Sequence, residues 1–464
     1  MRAHADVVVV GAGIAGLAAA HRLAAAGRDV LVLEASDRAG GKIGSVRSDD
    51  GFLCELGPNS FLGSARHLWG LVDALGLDSA LVPGLPPGHR WIHRDGKTRQ
   101  LPSGPLSALG GDWLPWSARL RVAREVFVPP APRQDETLWD FVARRCGAGF
   151  ADAVIAPFTG GVYAGDPHQL GAYDAFPKMW RLEAEGGGLI RGAFAMRKQR
   201  AAERGVGAGR KGLWNFADGL EVLPRALATA LGERLRLGVN VHALAQDGGG
   251  VVLELQGPDG SETLRAAAVV LATPLDQTAA LLRTPAPAAA EALGETPVAP
   301  VAVVHLGGPD PDGAAPPGFG ALVARGESVR ALGVLVPSSL FAGRAPDGAA
   351  LYAVFLGGVT DPEVVELDDD ALVELALQGR RDVFGAAVDT TPTLRRVTRW
   401  RAAIPQYVVG HRARVAQARQ ALASALPGVW IAGAACDGVS IDDAAGSGLH
   451  IADALLAAAA EAAA

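Results

Sequence analysis

VVVVGAGIAGLAAAHRLAAAGRDVLVLEASDRAGGKIGS, residues 7–45, reads as a strand, a tight turn, a helix and a second strand in one continuous unit. Val7 to Val10 form the β-branched run that a buried parallel strand needs. Gly11, Gly13 and Gly16 follow at the G-x-G-x-x-G spacing, with Ile14 and Ala15 between the last two, and open a helix. The glycines differ in what they do. Gly11 makes the turn, Gly13 lets the backbone approach a pyrophosphate, and Gly16 lets the helix lie close to the strand. The helix amino terminus then faces the anion. Gly27 stops the helix, and residues 29–33 form the second strand, ending at Glu34 and Ala35. A carboxylate at that point accepts hydrogen bonds from ribose hydroxyls and disfavours a 2′-phosphate. Three glycines alone recur by chance; the strand before, the helix after and the acid 18 residues beyond Gly16 make this a dinucleotide-binding unit. A secretory leader competes poorly, because Asp6 spoils the basic segment it needs and Glu34 goes unexplained.

Asp37-Arg38-Ala39-Gly40-Gly41-Lys42 comes next. A glycine pair beside basic residues suits a loop running past a diphosphate toward the flavin end of a longer cofactor; read alone, it is also an ordinary polar turn. Its place after Glu34 resembles the loop of flavoproteins of the amine oxidase and phytoene desaturase type. That resemblance implies non-covalent FAD, held by Gly11, Gly13, Ile14, Ala15, Gly16, Glu34, Ala35, Arg38, Gly40, Gly41 and Lys42.

At 464 residues and 49% hydrophobic composition the chain can build two or three domains with sizeable cores. Its formal charge of −6 supplies no global field for nucleic acid, so no nucleic-acid partner is expected. Cys54, Cys146 and Cys436 are odd in number and far apart, without a C-x-x-C, which indicates neither a disulfide framework nor a metal site and fits a reducing cytoplasm. No apolar stretch is long and uninterrupted enough to span a membrane, so any membrane contact is peripheral. Nothing in the residues fixes an oligomeric state.

Along the chain, residues 89–101 predict a β-hairpin turning at Asp95-Gly96. Helical periodicity runs over 113–127, 138–157 and 182–203. Strand patterns follow at 239–255 and 267–272, then at 298–306, 318–323, 331–336 and 351–356, and again at 429–433 before a helix near Asp442. The expected fold class is α/β: a Rossmann-like FAD-binding domain with an antiparallel-sheet substrate domain and a mainly helical insertion. The nucleotide domain is expected from 1–66, 213–276 and 395–464, the substrate domain from 67–88 and 277–394, and the helical part, a candidate membrane-binding region, from 89–212.

Four further segments narrow the function. Leu56-Gly57-Pro58-Asn59-Ser60-Phe61, Gly160-Gly161-Val162-Tyr163-Ala164-Gly165-Asp166-Pro167, Phe176-Pro177 with Gly188-Leu189-Ile190-Arg191-Gly192, and residues 433–448 resemble the oxygen-dependent, FAD-containing protoporphyrinogen oxidase family, nearly end to end. GVYAGDP is the most specific piece. The resemblance implies oxidation of a porphyrinogen to a porphyrin in haem biosynthesis, six electrons leaving in three two-electron steps, with dioxygen as acceptor and hydrogen peroxide as product. Flavin N5 carries that chemistry, so no catalytic side chain and no metal is expected; His89 and His93, alternating with Trp91, read as structural or surface residues. The family places Gly57, Pro58, Asn59, Ser60, Val241, Gly433, Val439 and Ser440 on the cofactor, although Asp443-Ala444-Ala445 departs from its usual Asp-Cys-Ile. It places Arg90 on a substrate propionate, which a guanidinium fork matches bidentately, Leu322 and Phe355 on either side of a pyrrole ring, and Gly161 and Ala164 along the macrocycle.

Three questions stay open on the residues. Protoporphyrinogen IX is the first substrate and coproporphyrinogen III the alternative, with Lys178, Arg181, Arg191 and Lys211 as candidates for an extra cation. An amine oxidase or desaturase of secondary metabolism, and a flavin-bearing porphyrin carrier, are the rival functions. Trp113, Leu114 and Trp116, with Arg119, Arg121 and Arg124, fall where family members attach to membranes, and the same pattern describes a helix packed on its own protein.

Overall fold

A computed structural model describes residues 4–86, 88–102, 113–202 and 210–463. The ends of the expected domains at residues 1 and 464, parts of the 67–88 and 89–212 segments, and the end of the helical run at residue 203 lie outside the described residues.

The β-branched run at the amino terminus becomes the strand His4–Val10, central in a sheet of seven strands. Val30–Leu33 and Gly260–Leu271 flank it in parallel, and Leu235–Arg236 adds a parallel edge. Gly260–Leu271 changes partner along its length. Its first half pairs antiparallel with Gly250–Gly257, which pairs with Asn240–Asp247, while its last residues pair in parallel with Val429–Ile431. The helices Ile14–Ala25 and Ile441–Ala463 pack together on one face, so residues from both ends of the chain share one core.

The second sheet runs Leu394–Pro405, Val298–Pro309, Ala349–Gly357, Ala331–Leu335, Gly320–Val323, Arg90–Arg94, Lys97–Gln100. All pairs are antiparallel except Arg90–Arg94 on Gly320–Val323. Period-2 alternation divides its faces. Val304, Leu306, Ala321, Val323, Val334, Tyr352 and Val354 face the helix Asp369–Phe384. Leu322, Phe355, Val303, Ala353 and Leu335 occupy the opposite face.

The structure differs from the expected boundaries in four places, the first being residues 277–294, expected with the substrate domain, whose Leu281, Leu282, Ala289 and Leu293 are buried in the core of the first sheet. The hairpin at 90–100 edges the substrate sheet, because its ladder hydrogen bonds go to Gly320–Val323. Leu394–Pro405 lies in the same sheet rather than in the nucleotide domain. The helix Arg66–Leu75, expected with the substrate domain, buries Leu68, Trp69, Leu71 and Val72 in the nucleotide core.

Between the sheets' contributions lie the short helices Trp116–Ala123, Leu138–Cys146, Ala156–Tyr163, Pro177–Gly186 and Leu189–Ala202. The run expected over 138–157 breaks at Gly147, which sits at φ +95°, and resumes through a π-turn, Ala151–Ile155. The apolar core here is small, centred on Leu138, Phe141 and Val142. Charges supplement it: the fully buried Arg145 meets Glu125 and Glu183, and Arg144 bridges Glu136 and Glu183 at 2.8 and 2.9 Å. Glu125 also accepts the backbone N–H groups of Leu189 (2.7 Å) and Ile190 (3.1 Å), capping the last of these helices.

Candidate functional site

The glycine turn folds as its spacing requires. Gly11 sits at φ +100°, and a Cβ on Gly16 would stand 2.0 Å from the Gly11 carbonyl oxygen, so only glycine allows helix and strand to approach so closely. Gly13 borders open space, and its helix start has no side-chain cap, leaving N–H donors for an anion. The second glycine pair lies on the first: Gly40 N–H donates to the Ala12 carbonyl (2.8 Å), and a Cβ on Gly41 would be 3.2 Å from the Gly13 Cα. Arg38 holds this loop from outside, its guanidinium donating to the carbonyls of Ala39 (3.3 Å), Gly41 (2.6 Å) and Ile43 (3.0 Å). Ile14 and Ala15 are buried in the first helical turn and Ala35 is exposed on the rim. Glu34 accepts N–H groups from Ala12 (2.7 Å) and Ser36 (2.9 Å), which fixes the carboxylate at the end of its strand. Val239 N–H bonds to the Glu34 carbonyl at 2.8 Å, and two residues on, Val241 sits at a register shift in its ladder. A bulge there redirects main-chain groups beside the glutamate.

At the other end of the cradle, a Cβ on Gly57 would lie 2.3 Å from the Lys42 carbonyl oxygen. Half-buried Pro58 and Ser60 flank Asn59, whose amide donates to the Gly57 carbonyl (3.0 Å). Lys42 Nζ donates to the Ala403 carbonyl (2.6 Å), and Trp400 Nε1 to the Leu56 carbonyl (2.7 Å). Burial pulls the Lys42 ammonium below the usual lysine range, with Asp276 opposing. These two bonds join the segments around Lys42 and Leu56 to the face of the second sheet that carries Leu322 and Phe355.

Sequence reading missed the support beneath this segment. Glu55, 2% exposed, accepts hydrogen bonds from Ser45 Oγ, from Asn215 Nδ2 (3.0 Å) and from Leu220 N–H (3.0 Å). Asn215 gives its other proton to the Asn59 carbonyl at 2.8 Å. Burial pushes the Glu55 carboxyl up, while Ser45, Asn215 and the Arg344 guanidinium pull it down. A polar residue inside each of the apolar runs FLCEL and LWNF was the one signal of it in the sequence.

The closing segment returns to the glycine turn. Gly433, at φ +116°, donates its N–H to Ser447 Oγ (2.9 Å); Ser447 bonds the Asp437 carboxylate, which Arg419 also meets at 2.7 Å. Ser440 caps the last helix through Asp443 N–H (3.1 Å). Val439 packs on Tyr163, Leu170 and Tyr407, so the closing segment and the GVYAGDP turn share one apolar cluster.

The residues expected at the substrate meet on one face of the second sheet. Ile92, Leu322, Gly333, Phe355 and Val303 form a row across it, with Gly333 buried between half-buried Leu322 and Phe355. Gly161, on the helix Ala156–Tyr163, lies against Leu322: a Cβ there would be 2.3 Å from Leu322 Cδ2. Ala164 adopts a left-handed φ of +48° and packs in the cluster that includes Phe355 and Val303. Arg90 lies on the same face in the neighbouring row with Gly320, Leu335 and Ala353, exposed at its end. It is three strands from the strand of Phe355, about 14 Å at the usual strand spacing, and its guanidinium lies 5.9 Å from the Phe319 ring centroid.

His93 Nδ1 pairs with Thr98 Oγ1 (3.0 Å) and His89 Nδ1 with Gln100 Nε2 (2.7 Å), which accounts for both histidines as hairpin supports. The three cysteines are buried, and burial pushes each thiol up to about 12. Among the described residues no group of His, Cys, Asp or Glu is arranged to hold a metal ion, and no helix is long and apolar enough to cross a membrane.

A model of the flavin containing amine oxidoreductase family matches residues 14–456. Protoporphyrinogen oxidase, chloroplastic, of Nicotiana tabacum is 34% identical over 463 residues, 95% of this chain and 83% of that protein. Coproporphyrinogen III oxidase of Bacillus subtilis (strain 168) is 30% identical over 457 residues, 94% of this chain and 95% of that protein. The crystal structure of an assigned protoporphyrinogen oxidase from Exiguobacterium sp. 255-15 superposes with a TM-score of 0.82 at 26% identity, covering 97% of this chain and 98% of that one.

Proposed function

Because the chain belongs to the flavin-containing amine oxidoreductase family, in the company of protoporphyrinogen and coproporphyrinogen III oxidases, we propose that it oxidises a porphyrinogen to a porphyrin in haem biosynthesis. It is an FAD-dependent oxidoreductase. The residues present suit FAD: Gly13 and the uncapped helix start offer backbone donors to a diphosphate, Glu34 a carboxylate to a ribose, and the 57–60 and 433–440 segments flank the end nearest the second sheet. When bound, FAD supplies a two-electron acceptor that dioxygen can reoxidise.

What is left to the protein is to bind, orient and exclude water. The observation that carries this reading is the apolar row Leu322, Gly333, Phe355, joined to the cofactor loops through Ala403 and Trp400. A flat macrocycle stacks on such a surface, Leu322 and Phe355 gripping one ring while Arg90 pairs with a propionate at the far edge. We assign the first sheet to the cofactor and the second to the substrate. Three turnovers with three dioxygen molecules remove six hydrogens and give three molecules of hydrogen peroxide.

Protoporphyrinogen IX is the first substrate to test. Coproporphyrinogen III, with more propionates, is the second reading, favoured by Arg94 and Arg99, which line a small cleft with Ile92, Leu101, Trp113 and Ala153 one strand from Leu322. The experiment is anaerobic photometry with each porphyrinogen: the yellow flavin bleaches on addition and recovers with air. A flavin that stays oxidised with both, or that bleaches only with an amine or polyene, overturns the reading.

A peripheral membrane contact belongs to the same proposal. Trp116 (65% exposed), Leu120 (60%), Phe127 (80%) and Phe194 (68%) stand out from the helical part near Arg119 and Arg124. Co-sedimentation with anionic vesicles tests it, and retention in the supernatant removes it.

A further inference from the structure

We propose that the loop at residues 324–330 is a buckle that sets the spacing of the substrate slot, with Arg325, Glu327 and Arg330 as positioning residues; this rests on the porphyrinogen reading above. The loop joins Gly320–Val323 to Ala331–Leu335, the two strands that carry Leu322 and Gly333. At seven residues it is longer than a tight hairpin connection; buried Ala324, whose N–H bonds the His93 carbonyl (2.9 Å), and Val329, in the sheet's core, fix its ends, and its charged side chains tie it to the neighbouring elements. Its three charged side chains each reach a different neighbour. Arg325 Nη1 meets Asp166 Oδ1 at 2.6 Å, in the turn that follows Gly161 and Ala164. Glu327, its side chain 13% exposed, accepts the N–H groups of Asp95 (2.7 Å) and Gly96 (3.1 Å) at the tip of the hairpin that begins with Arg90. Arg330 pairs bidentately with Asp361, at 2.9 and 2.8 Å, just beyond the strand of Phe355.

The three neighbours are the elements that bear the slot residues: the Gly161 helix and its turn, the Arg90 hairpin, and the Phe355 strand. The Asp361 and Asp166 anchors also reinforce each other, because Val359 N–H donates to the Ala164 carbonyl at 2.9 Å. None of the three loop side chains lies in the row that faces the macrocycle, so each acts through its partner. A rigid, flat ligand gains from walls held at a fixed separation, since binding then spends less on ordering them. Partly exposed ion pairs such as Arg325–Asp166 (41% and 15% exposed) shift an equilibrium by up to about fivefold each.

The test compares Arg325→Gln, Arg330→Gln and the double variant with the wild-type holoenzyme. KM for the accepted porphyrinogen should rise about threefold to fivefold in each single variant and further in the double, with kcat within twofold and full flavin content. Arg325→Lys, which keeps the charge, should recover at least half of the change. Hydrogen exchange should quicken in residues 156–166 and not in the helix Ile14–Ala25. KM within twofold of wild type in the double variant, or a loss of flavin and kcat together with KM, overturns the buckle. If the wild type turns over no porphyrinogen the functional reading falls first, and the loop is judged on exchange alone: acceleration confined to 156–166 supports it, and unchanged exchange overturns it.

Discussion

Gly161 and Leu322 touch with no room between them, and that contact makes the proposed slot sensitive to a single methyl group. In Gly161→Ala the new carbon would meet the flexible end of Leu322, so the chain should fold and retain flavin while kcat/KM for the porphyrinogen falls about tenfold, as a cost on the order of 1–2 kcal/mol implies. Unaltered steady-state kinetics would take this helix out of the slot. Arg90→Ala removes a charge-assisted pair, so KM should rise about tenfold or more at constant flavin absorbance; a KM equal to wild type would remove Arg90 from the site. At this scale Gly11 and Gly16 were legible because the backbone angle of the one and the close approach of the other leave no alternative residue. Glu55 and Asn215 were not, since a buried polar residue makes sense only once Ser45, Leu220 and Asn59, from distant stretches, stand beside it.

The two helices of the nucleotide core cross where a Cβ on Gly448 would stand 1.9 Å from the Ala15 carbonyl oxygen. The obstacle is backbone, so Gly448→Ala must push Ile441–Ala463 away from the cofactor turn. We expect a loss of about 2 kcal/mol in urea unfolding together with reduced flavin retention after dialysis; a fully yellow variant of normal stability would contradict this account. The strand–turn–helix–strand unit at residues 7–33 and the strands 298–306, 331–336 and 351–356 could be read ahead of the structure, because alternation and glycine spacing are local signals. Leu394–Pro405 escaped because an edge strand studded with arginines, LRRVTRWRAAIP, hides its period; Arg399 bonds the carbonyls of Val365 and Leu367, and Arg401 pairs with Glu366.

For the whole molecule, two buried histidines set an acid limit. Burial lowers His305 and His411 from 6.5 to about 4, with nearby arginines adding to the effect. Between those values the unfolded chain takes up protons that the folded chain refuses, so stability is complete near neutrality and falls as pH drops from about 6.5 toward 4. The loss from pH 7 to pH 5 is on the order of 2 kcal/mol per histidine. Urea midpoints at the two pH values measure it, and His411→Phe, which keeps the stack on Tyr407, should flatten the slope. The carboxyls of Glu55, Asp174 and Asp442, raised by burial, push the other way, but their share is the same in wild type and variant, so an unchanged slope in the variant would remove His411 as a contributor.

The partner change along Gly260–Leu271 also dictates a timetable. The glycine turn at residues 11–16 is synthesised long before the strand that completes its sheet, Val429–Ile431, and the helix Ile441–Ala463 that covers it. Until then the apolar surfaces of His4–Val10 and Ile14–Ala25 have no full cover. A nascent chain of this protein is therefore a client for chaperones until those segments emerge, and ribosomes that stop short of residue 429 release a product prone to aggregate.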